Sequence, residues 1–111
     1  MEGLVKGEVA VTNFPLTDLK STIKRPALII ATLKGDNIIV CQITKKERHE
    51  DPYKISLIQN DFISGGLKKD SFIMPSILFS IRNSIVLYRA GRINDEKIEE
   101  VENKIIEIIK N

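Results

Sequence analysis

The most constraining feature of the sequence is a pair of apolar runs separated by a short polar turn. Residues 27–32 and 38–43 flank residues 34–37, which include Gly35. Two strand-like runs joined in this way predict a β-hairpin. Both faces of this hairpin are apolar, which is consistent with strands inside a small, strongly bent sheet or barrel.

The open end of the predicted hairpin carries polar residues that the apolar strands would hold in place. A turn centred between Gly35 and Asp36 puts Thr44 opposite Ala27, two residues after Arg25. Because side chains alternate along a strand, Arg25 and Thr44 are expected on one face, with their backbones about 7–8 Å apart on a diagonal. Pro26 favours an extended backbone at Arg25, which helps to aim its side chain.

Other segments of the chain have the alternation of strands. It predicts strands at 7–13, 53–58 and 84–88, and a shorter strand at 71–74 that ends at Pro75. The secondary structure of residues 77–81 is ambiguous from the sequence. Gly91 is expected to interrupt the strand predicted at 84–88. Residues 14–24 predict a loop of about ten residues, a length at which loops are often functional. Gly65-Gly66 predicts a sharp turn.

The last segment has the pattern of a helix at 95–109. Asn94 is a good helix cap, and apolar residues recur at spacings of three and four, namely Ile98, Val101, Ile105 and Ile108. Short strands followed by one terminal helix predict a mainly β fold with a C-terminal helix, built on a small antiparallel barrel. The 111 residues are expected to form a single domain, 1–111.

Composition and charge set limits on the class of protein. The chain is 42% hydrophobic and 29% charged, no run approaches the roughly 18 apolar residues of a membrane span, and residues 1–7 lack a signal-peptide core. A cytoplasmic protein with no membrane association is therefore expected. The last 18 residues carry three lysines and six carboxylates, which leaves the first 93 with 14 basic and 9 acidic side chains. This distribution suits a polyanionic partner, although an ordinary solvated surface has the same appearance.

Two residues that often carry chemistry do not form a recognisable site. Cys41 lies inside an apolar run and is interpreted as a small core residue rather than a nucleophile. His49 is interpreted as a surface residue, because the nearby carboxylates of one short stretch do not have metal-ligand spacing. Gly65-Gly66 lacks the lysine and hydroxyl residue of a phosphate-binding loop, and no nucleophilic triad is visible. No cofactor is expected.

Three motifs, in this order and spacing, resemble the MazF/PemK family of toxins from toxin–antitoxin systems. They are "GEVAVTNFPLTDLKSTIKRPALII", "VCQITKK" and "NDFISGGLKKDSFIMPSILFS". The resemblance implies an SH3-like barrel of the CcdB–MazF type that forms a homodimer. It also implies an endoribonuclease (an mRNA interferase) that cleaves single-stranded RNA without a metal, and a cognate antitoxin as protein partner.

The resemblance also implies roles for particular residues. Arg25 matches the catalytic arginine that precedes a proline, and Thr44 matches the threonine that pairs with it. Phe14 lies in the loop that contacts RNA in relatives. We expect the lysines around the catalytic pair to contribute to substrate binding, namely Lys24, Lys45 and Lys46. Some family members carry an arginine and an aspartate at two further positions, where this chain has Met74 and Ser76.

Several alternatives remain open at the level of sequence. Arg25 could form a surface ion pair with Asp18 or Glu47, and Thr44 could be an ordinary residue at a strand end. The pairs Lys45-Lys46 and Lys68-Lys69 could be solvated surface. At the level of function, the alternatives are a CcdB-like toxin that binds a protein such as DNA gyrase and a non-catalytic nucleic-acid- or peptide-binding barrel.

Overall fold

The structure, a computed structural model, describes residues 1–15, 20–45 and 51–111. These residues form seven strands, two short 3₁₀ turns (Gln59–Asp61 and Asn83–Ile85) and one helix. The strands and the helix are β1 (Glu8–Pro15), β2 (Thr22–Thr32), β3 (Asn37–Thr44), β4 (Ile55–Leu57), β5 (Phe62–Gly65), β6 (Ser71–Arg82), β7 (Val86–Ile93) and α1 (Asp95–Lys110).

All seven strands belong to one antiparallel sheet with the order β4-β6-β3-β2-β1-β7-β5. The sheet bends into a half-barrel, and the predicted class, mainly β with a C-terminal helix, is confirmed. The β2–β3 hairpin occupies the middle of the sheet, as its apolar character on both faces requires. Among the described residues, no helix is both long and apolar enough to cross a membrane.

The two faces of the sheet carry separate apolar clusters. The helix face is the side that α1 covers. It contains Val9, Leu28 and Cys41, which pack with the helix residues Val101 and Ile105. The opposite side is named the Phe14 face because Phe14 packs at its margin. Its buried residues are Leu4, Ala10, Ala27, Ile29, Ile38, Val40, Ile81 and Val86.

The helix prediction is confirmed almost to the residue. Asn94 Oδ1 accepts a hydrogen bond from the Lys97 backbone N–H at 2.8 Å, which satisfies one donor of the first helical turn. Of the predicted stripe, Ile98 is buried with Val101 and Ile105, whereas Ile108 is only partly buried. The helix is therefore held by an apolar stripe against the sheet and by its cap.

The register predicted for the hairpin is wrong. Thr32 pairs with Ile38 across a turn centred on Gly35, whose φ of +84° suits glycine. A bulge then inserts one extra residue into β2, so that Ala27 lies opposite Gln42 rather than Thr44. Arg25 and Thr44 each lie two residues beyond this facing pair, so they occupy matching positions on the two strands rather than the expected diagonal.

Other strand boundaries also differ from the predictions. β6 continues through Pro75 because a three-residue irregularity (75–77) lets the chain resume pairing with β3. The predicted loop 14–24 is shorter, since Phe14 pairs with Ile23. β5 was not predicted. The predicted strand 84–88 begins instead with a 3₁₀ turn, and β7 passes through Gly91 without ending there.

Candidate functional site

Two consecutive polar residues lie at the open end of each strand of the hairpin, Lys24-Arg25 in β2 and Thr44-Lys45 at the end of β3. Arg25 and Thr44 are each two residues beyond the facing pair Ala27 and Gln42. Side chains alternate along a strand, so both lie on the Phe14 face. Lys24 and Lys45 lie on the helix face. The alternation thus puts the two predicted catalytic residues on one face of the sheet and these two lysines on the other.

The position of Arg25 is fixed by its backbone while its side chain remains exposed. In β1, Thr12 lies opposite Arg25, and Thr12 Oγ1 donates a 3.0 Å hydrogen bond to the Arg25 carbonyl oxygen. Thr12 is fully buried, so its hydroxyl needs this acceptor. An extended backbone anchored by a buried hydrogen bond presents the guanidinium to solvent, where it can contact a planar oxyanion with two parallel N–H donors.

Thr44 is 9% exposed and lies between the open end of β2 and the partner strand β6, where Phe72 pairs with it. Its hydroxyl therefore has a restricted position at the edge of the exposed site. A hydroxyl can both donate and accept a hydrogen bond, which suits contact with a phosphate oxygen or with a ribose hydroxyl.

Phe14 lies on the same face as Arg25, next to its own partner Ile23. Its ring contacts that of Phe79 in β6, with centroids 5.2 Å apart and ring planes inclined by 55°. Phe79 is 41% exposed. This aromatic pair reaches across β2 and β3, and it supplies an apolar surface on the face that carries the arginine.

The predicted lysines Lys24 and Lys45 line an open depression of about 470 Å³ on the helix face. The floor is a row of residues from three adjacent strands, since Val11 pairs with both Pro26 and Tyr88. The remaining wall comes from the segment after β5. The lining residues are Val11, Lys24, Pro26, Lys45, Gly66, Leu67, Lys68, Tyr88, Arg89 and Ala90.

Two residues of this depression, Lys68 and Tyr88, were not predicted as site residues. The sequence pattern indicates solvated surface at Lys68 and a strand at Tyr88. The signal that could have indicated Lys68 is Gly65-Gly66, because adjacent glycines allow close approach of two backbones. A Cβ on Gly65 would lie 2.1 Å from the Ala90 carbonyl oxygen.

Met74 and Ser76, the positions where the family resemblance implies an arginine and an aspartate in some members, differ in burial. Met74 is fully buried, and Cys41 Sγ donates to its carbonyl oxygen at 3.0 Å. Ser76 is exposed within the irregular segment of β6, and its Oγ lies 3.5 Å from Asp51 Oδ2. A buried thioether carries no charge and transfers no proton, so Met74 cannot take the part of an arginine.

Some predicted residues lie outside the described residues, namely Lys46, His49, and the alternative ion-pair partners Asp18 and Glu47. Cys41 is fully buried, and this burial raises the pKa of its thiol to about 12, which agrees with a core role. Within residues 1–15, 20–45 and 51–111, no three His, Cys, Asp or Glu side chains are grouped as a metal site would require.

The fold and the hairpin end define a small half-barrel that presents an arginine and a threonine on one face. A sequence model described as a PemK-like, MazF-like toxin of type II toxin–antitoxin systems matches residues 5–109. The chain therefore belongs to the PemK/MazF-like toxin family.

Solved structures show the same fold at low sequence identity. The MazE–MazF complex from Deinococcus radiodurans (Form-III) has a TM-score of 0.76 at 16% identity and covers 96% of each chain. An endoribonuclease from a mycobacterial species has a TM-score of 0.73 at 10% identity, covering 99% of this chain and 94% of that one. The Mycobacterium tuberculosis toxin MazF-mt6 has a TM-score of 0.66 at 16% identity, covering 91% and 96%. Comparison with curated proteins finds no match.

Proposed function

We propose that this protein is a toxin that cleaves single-stranded RNA. The observation that carries the proposal is the placement of Arg25 and Thr44 on one face at the open end of the hairpin. Family membership and the endoribonuclease names of structural neighbours support it. An exposed arginine on a paired strand, with a hydroxyl and an aromatic pair on the same face, is suited to a phosphodiester next to an unstacked base.

The reaction we propose is attack of an RNA 2′-oxygen on the adjacent phosphorus. The bond between the 2′-oxygen and phosphorus forms, and the bond between phosphorus and the 5′-oxygen breaks. The 2′-hydroxyl loses its proton and the leaving 5′-oxygen gains one, so the products are a cyclic phosphate and a 5′-hydroxyl. Water is not a reactant in this step.

The two side chains would have different tasks in this step. Negative charge grows on the non-bridging phosphate oxygens, and the Arg25 guanidinium stabilises it by bidentate hydrogen bonds. Arginine remains protonated at neutral pH, so Arg25 is an electrostatic stabiliser rather than a base. Thr44 would orient the phosphate or the 2′-hydroxyl. Because a protein cation supplies the positive charge, we propose that cleavage needs no metal ion.

We also propose two protein partners. One structural neighbour is an endoribonuclease in complex with its cognate antitoxin, and others are MazE–MazF complexes. A cognate antitoxin, encoded beside this gene as a short acidic protein, would accordingly bind this chain. The second partner is another copy of the chain, because a domain of this size offers little surface for RNA by itself.

Replacing Arg25 tests the catalytic proposal. Arg25→Ala should slow single-turnover cleavage of a short RNA by about 100- to 1,000-fold in a buffer containing EDTA, because one preorganised donor is lost. Arg25→Lys should restore only part of the rate, since it keeps the charge but not the planar fork. The melting temperature should stay near that of the wild type, because an exposed arginine contributes little to stability.

Arg82→Ala is the matched control. Arg82 is also exposed, but it pairs with Asn37 at the turn end of the hairpin. This variant should cleave at the wild-type rate. An Arg25→Ala protein with normal activity would place the active site elsewhere. A wild-type protein that cleaves no RNA would favour the non-catalytic alternative.

A further inference from the structure

We propose that the depression on the helix face is a second RNA-binding subsite, which holds a flanking stretch of the strand whose phosphate lies at Arg25. The inference rests on the proposed function and extends it to residues that no family resemblance pointed to, Lys68 and Tyr88. It concerns binding of nucleotides away from the cleavage point.

The charge of the depression is the first reason. Three lysines surround it, Lys24, Lys45 and Lys68, and all three are exposed. In the described part of the chain, none of the three ammonium groups has an ion-pair partner. Among the described residues that line it, none is a carboxylate. Three uncompensated cations around one concavity attract a polyanion rather than a single small ion.

Arg89 also borders the depression, but its charge is already compensated. Its Nε lies 2.6 Å from Glu8 Oε2, and its Nη2 donates to the Glu2 carbonyl oxygen at 2.9 Å. Within residues 1–15, 20–45 and 51–111, the positive field inside the depression therefore comes from the three lysines, and Arg89 belongs to the scaffold.

The second reason is the aromatic wall. Tyr88 is 52% exposed, and it stands in one row with Val11 and Pro26 across three strands. An exposed aromatic ring beside lysines is the combination on which unpaired bases stack while the backbone follows the positive charge. An acidic peptide would use the lysines but would have no need of a flat ring.

The opposite wall of the depression is a built part of the fold. The Gly66 backbone N–H donates to the Ala90 carbonyl oxygen at 3.0 Å, and Gln59 Nε2 donates to the Gly65 carbonyl oxygen at 2.9 Å. Gly65 has a φ of +64°. These contacts fix the segment that carries Lys68 against β7, so the width of the depression is set before a ligand arrives.

Continuity with the cleavage site is the third reason. Lys24 and Arg25 are neighbours in the chain, and so are Thr44 and Lys45, but the members of each pair point to opposite faces. A strand of RNA that passes the end of the hairpin can therefore contact Arg25 on one face and Lys24 on the other. A single polyanion would bind both sites.

The test compares one short RNA, cleaved at a single site, with the same RNA extended on either side. For the wild type, extension on one side should lower KM and steepen the salt dependence of KM. Lys68→Gln combined with Tyr88→Ala should remove most of this advantage. The ratio of KM for the short RNA to KM for the extended RNA should fall by at least about fivefold for the lost stacking alone. The slope of log KM against log salt for the long RNA should become shallower by about 0.7 for the lost lysine contact.

The matched control is Lys34→Gln combined with Leu87→Ala, a lysine in the hairpin turn and an exposed apolar residue beside Tyr88 in β7. It should keep the wild-type KM ratio. If the Lys68/Tyr88 variant has the same KM ratio as the wild type, the inference is overturned. Loss of affinity for an acidic antitoxin peptide would not change that conclusion. If the wild type cleaves no RNA, the proposed function fails by itself. Fluorescence anisotropy with a labelled oligouridine then decides the inference, because equal affinity of wild type and variant would overturn it.

Discussion

At the scale of single residues, the hydroxyl of Thr44 is the second component of the proposed site. Thr44→Val removes the hydroxyl at nearly constant shape, whereas Thr44→Ser keeps it. We expect Thr44→Val to lower the single-turnover cleavage rate by about tenfold or more, the cost of a hydrogen bond to a charged group, and Thr44→Ser to have a smaller effect. Melting temperatures of both variants show whether the fold is intact. Equal rates for the two variants would remove the hydroxyl from the mechanism.

Cys41 should make the stability of the protein depend on alkaline pH. Burial raises its pKa from an ordinary value of 9.0 to about 12 in the folded state. The unfolded chain therefore releases this proton first as the pH rises. Below pH 9 the thiol is protonated in both states and its contribution is constant. Between pH 9 and about 12, the free energy of unfolding should fall by up to about 1.4 kcal/mol per pH unit.

Urea unfolding of the wild type and of Cys41→Ala at pH 8 and pH 10, with reducing agent, isolates this effect from that of other groups. The advantage of the wild type over the variant should shrink at pH 10. A difference between the two proteins that does not change with pH would contradict the burial of an uncharged thiol.

At the scale of elements, the capped helix α1 is the part most fully determined by local sequence. Asn94→Ala removes the acceptor of the Lys97 N–H bond and should lower the free energy of unfolding by about 1 kcal/mol. Asn103→Ala is a suitable control, because Asn103 is an exposed residue within the helix and alanine has the higher helix propensity there. Thermal denaturation followed by circular dichroism should show opposite shifts for the two variants. A lower melting temperature for Asn103→Ala would show that propensity does not govern this helix.

The type of several elements could be predicted from the sequence, but the register between strands could not. Periodicity predicted the helix and the two strands of the hairpin, because each pattern is local and repeats over several residues. Register was not predictable, since the bulge in β2 and the irregular residues 75–77 leave no mark on the alternation of apolar and polar residues. The shift mattered for the site, because it moves Arg25 and Thr44 from a diagonal to matching positions, each two residues beyond the facing pair Ala27 and Gln42.

The depression on the helix face was missed for a different reason. Lys24, Lys68 and Tyr88 come together only because β5 pairs with β7 and β1 pairs with both β2 and β7. Pairings between strands far apart in sequence have no local signal. Lys24 was expected beside Arg25 because it is next in sequence, yet the alternation of the strand turns it to the other face.

At the scale of the whole molecule, the apolar content of β6 points to association. Within the sequence segment 72–81, Ile73, Met74 and Ile81 are buried, but Leu78 and Phe79 remain 39% and 41% exposed. We predict that sedimentation at micromolar concentration gives twice the chain mass of 12.6 kDa. Leu78→Glu should shift the distribution toward the monomer, whereas Leu33→Glu, in the hairpin turn and 42% exposed, should not. A wild-type monomer that retains cleavage would contradict the dimer.

The alternation at the hairpin end has a consequence for the genetics of this protein. In a saturation mutagenesis library scored by the growth of host cells, neighbouring codons would behave differently although they encode similar cations. Substitutions at codon 25 would rescue growth nearly as well as a stop codon, whereas those at codon 24 would produce graded survival that depends on expression level. At codons 44 and 45, the stronger rescue would fall on the first codon, and serine at position 44 would rescue growth less than valine. Growth scores that alternate from one codon to the next at both strand ends would thus show which side chains share a face of the sheet, without any biochemistry.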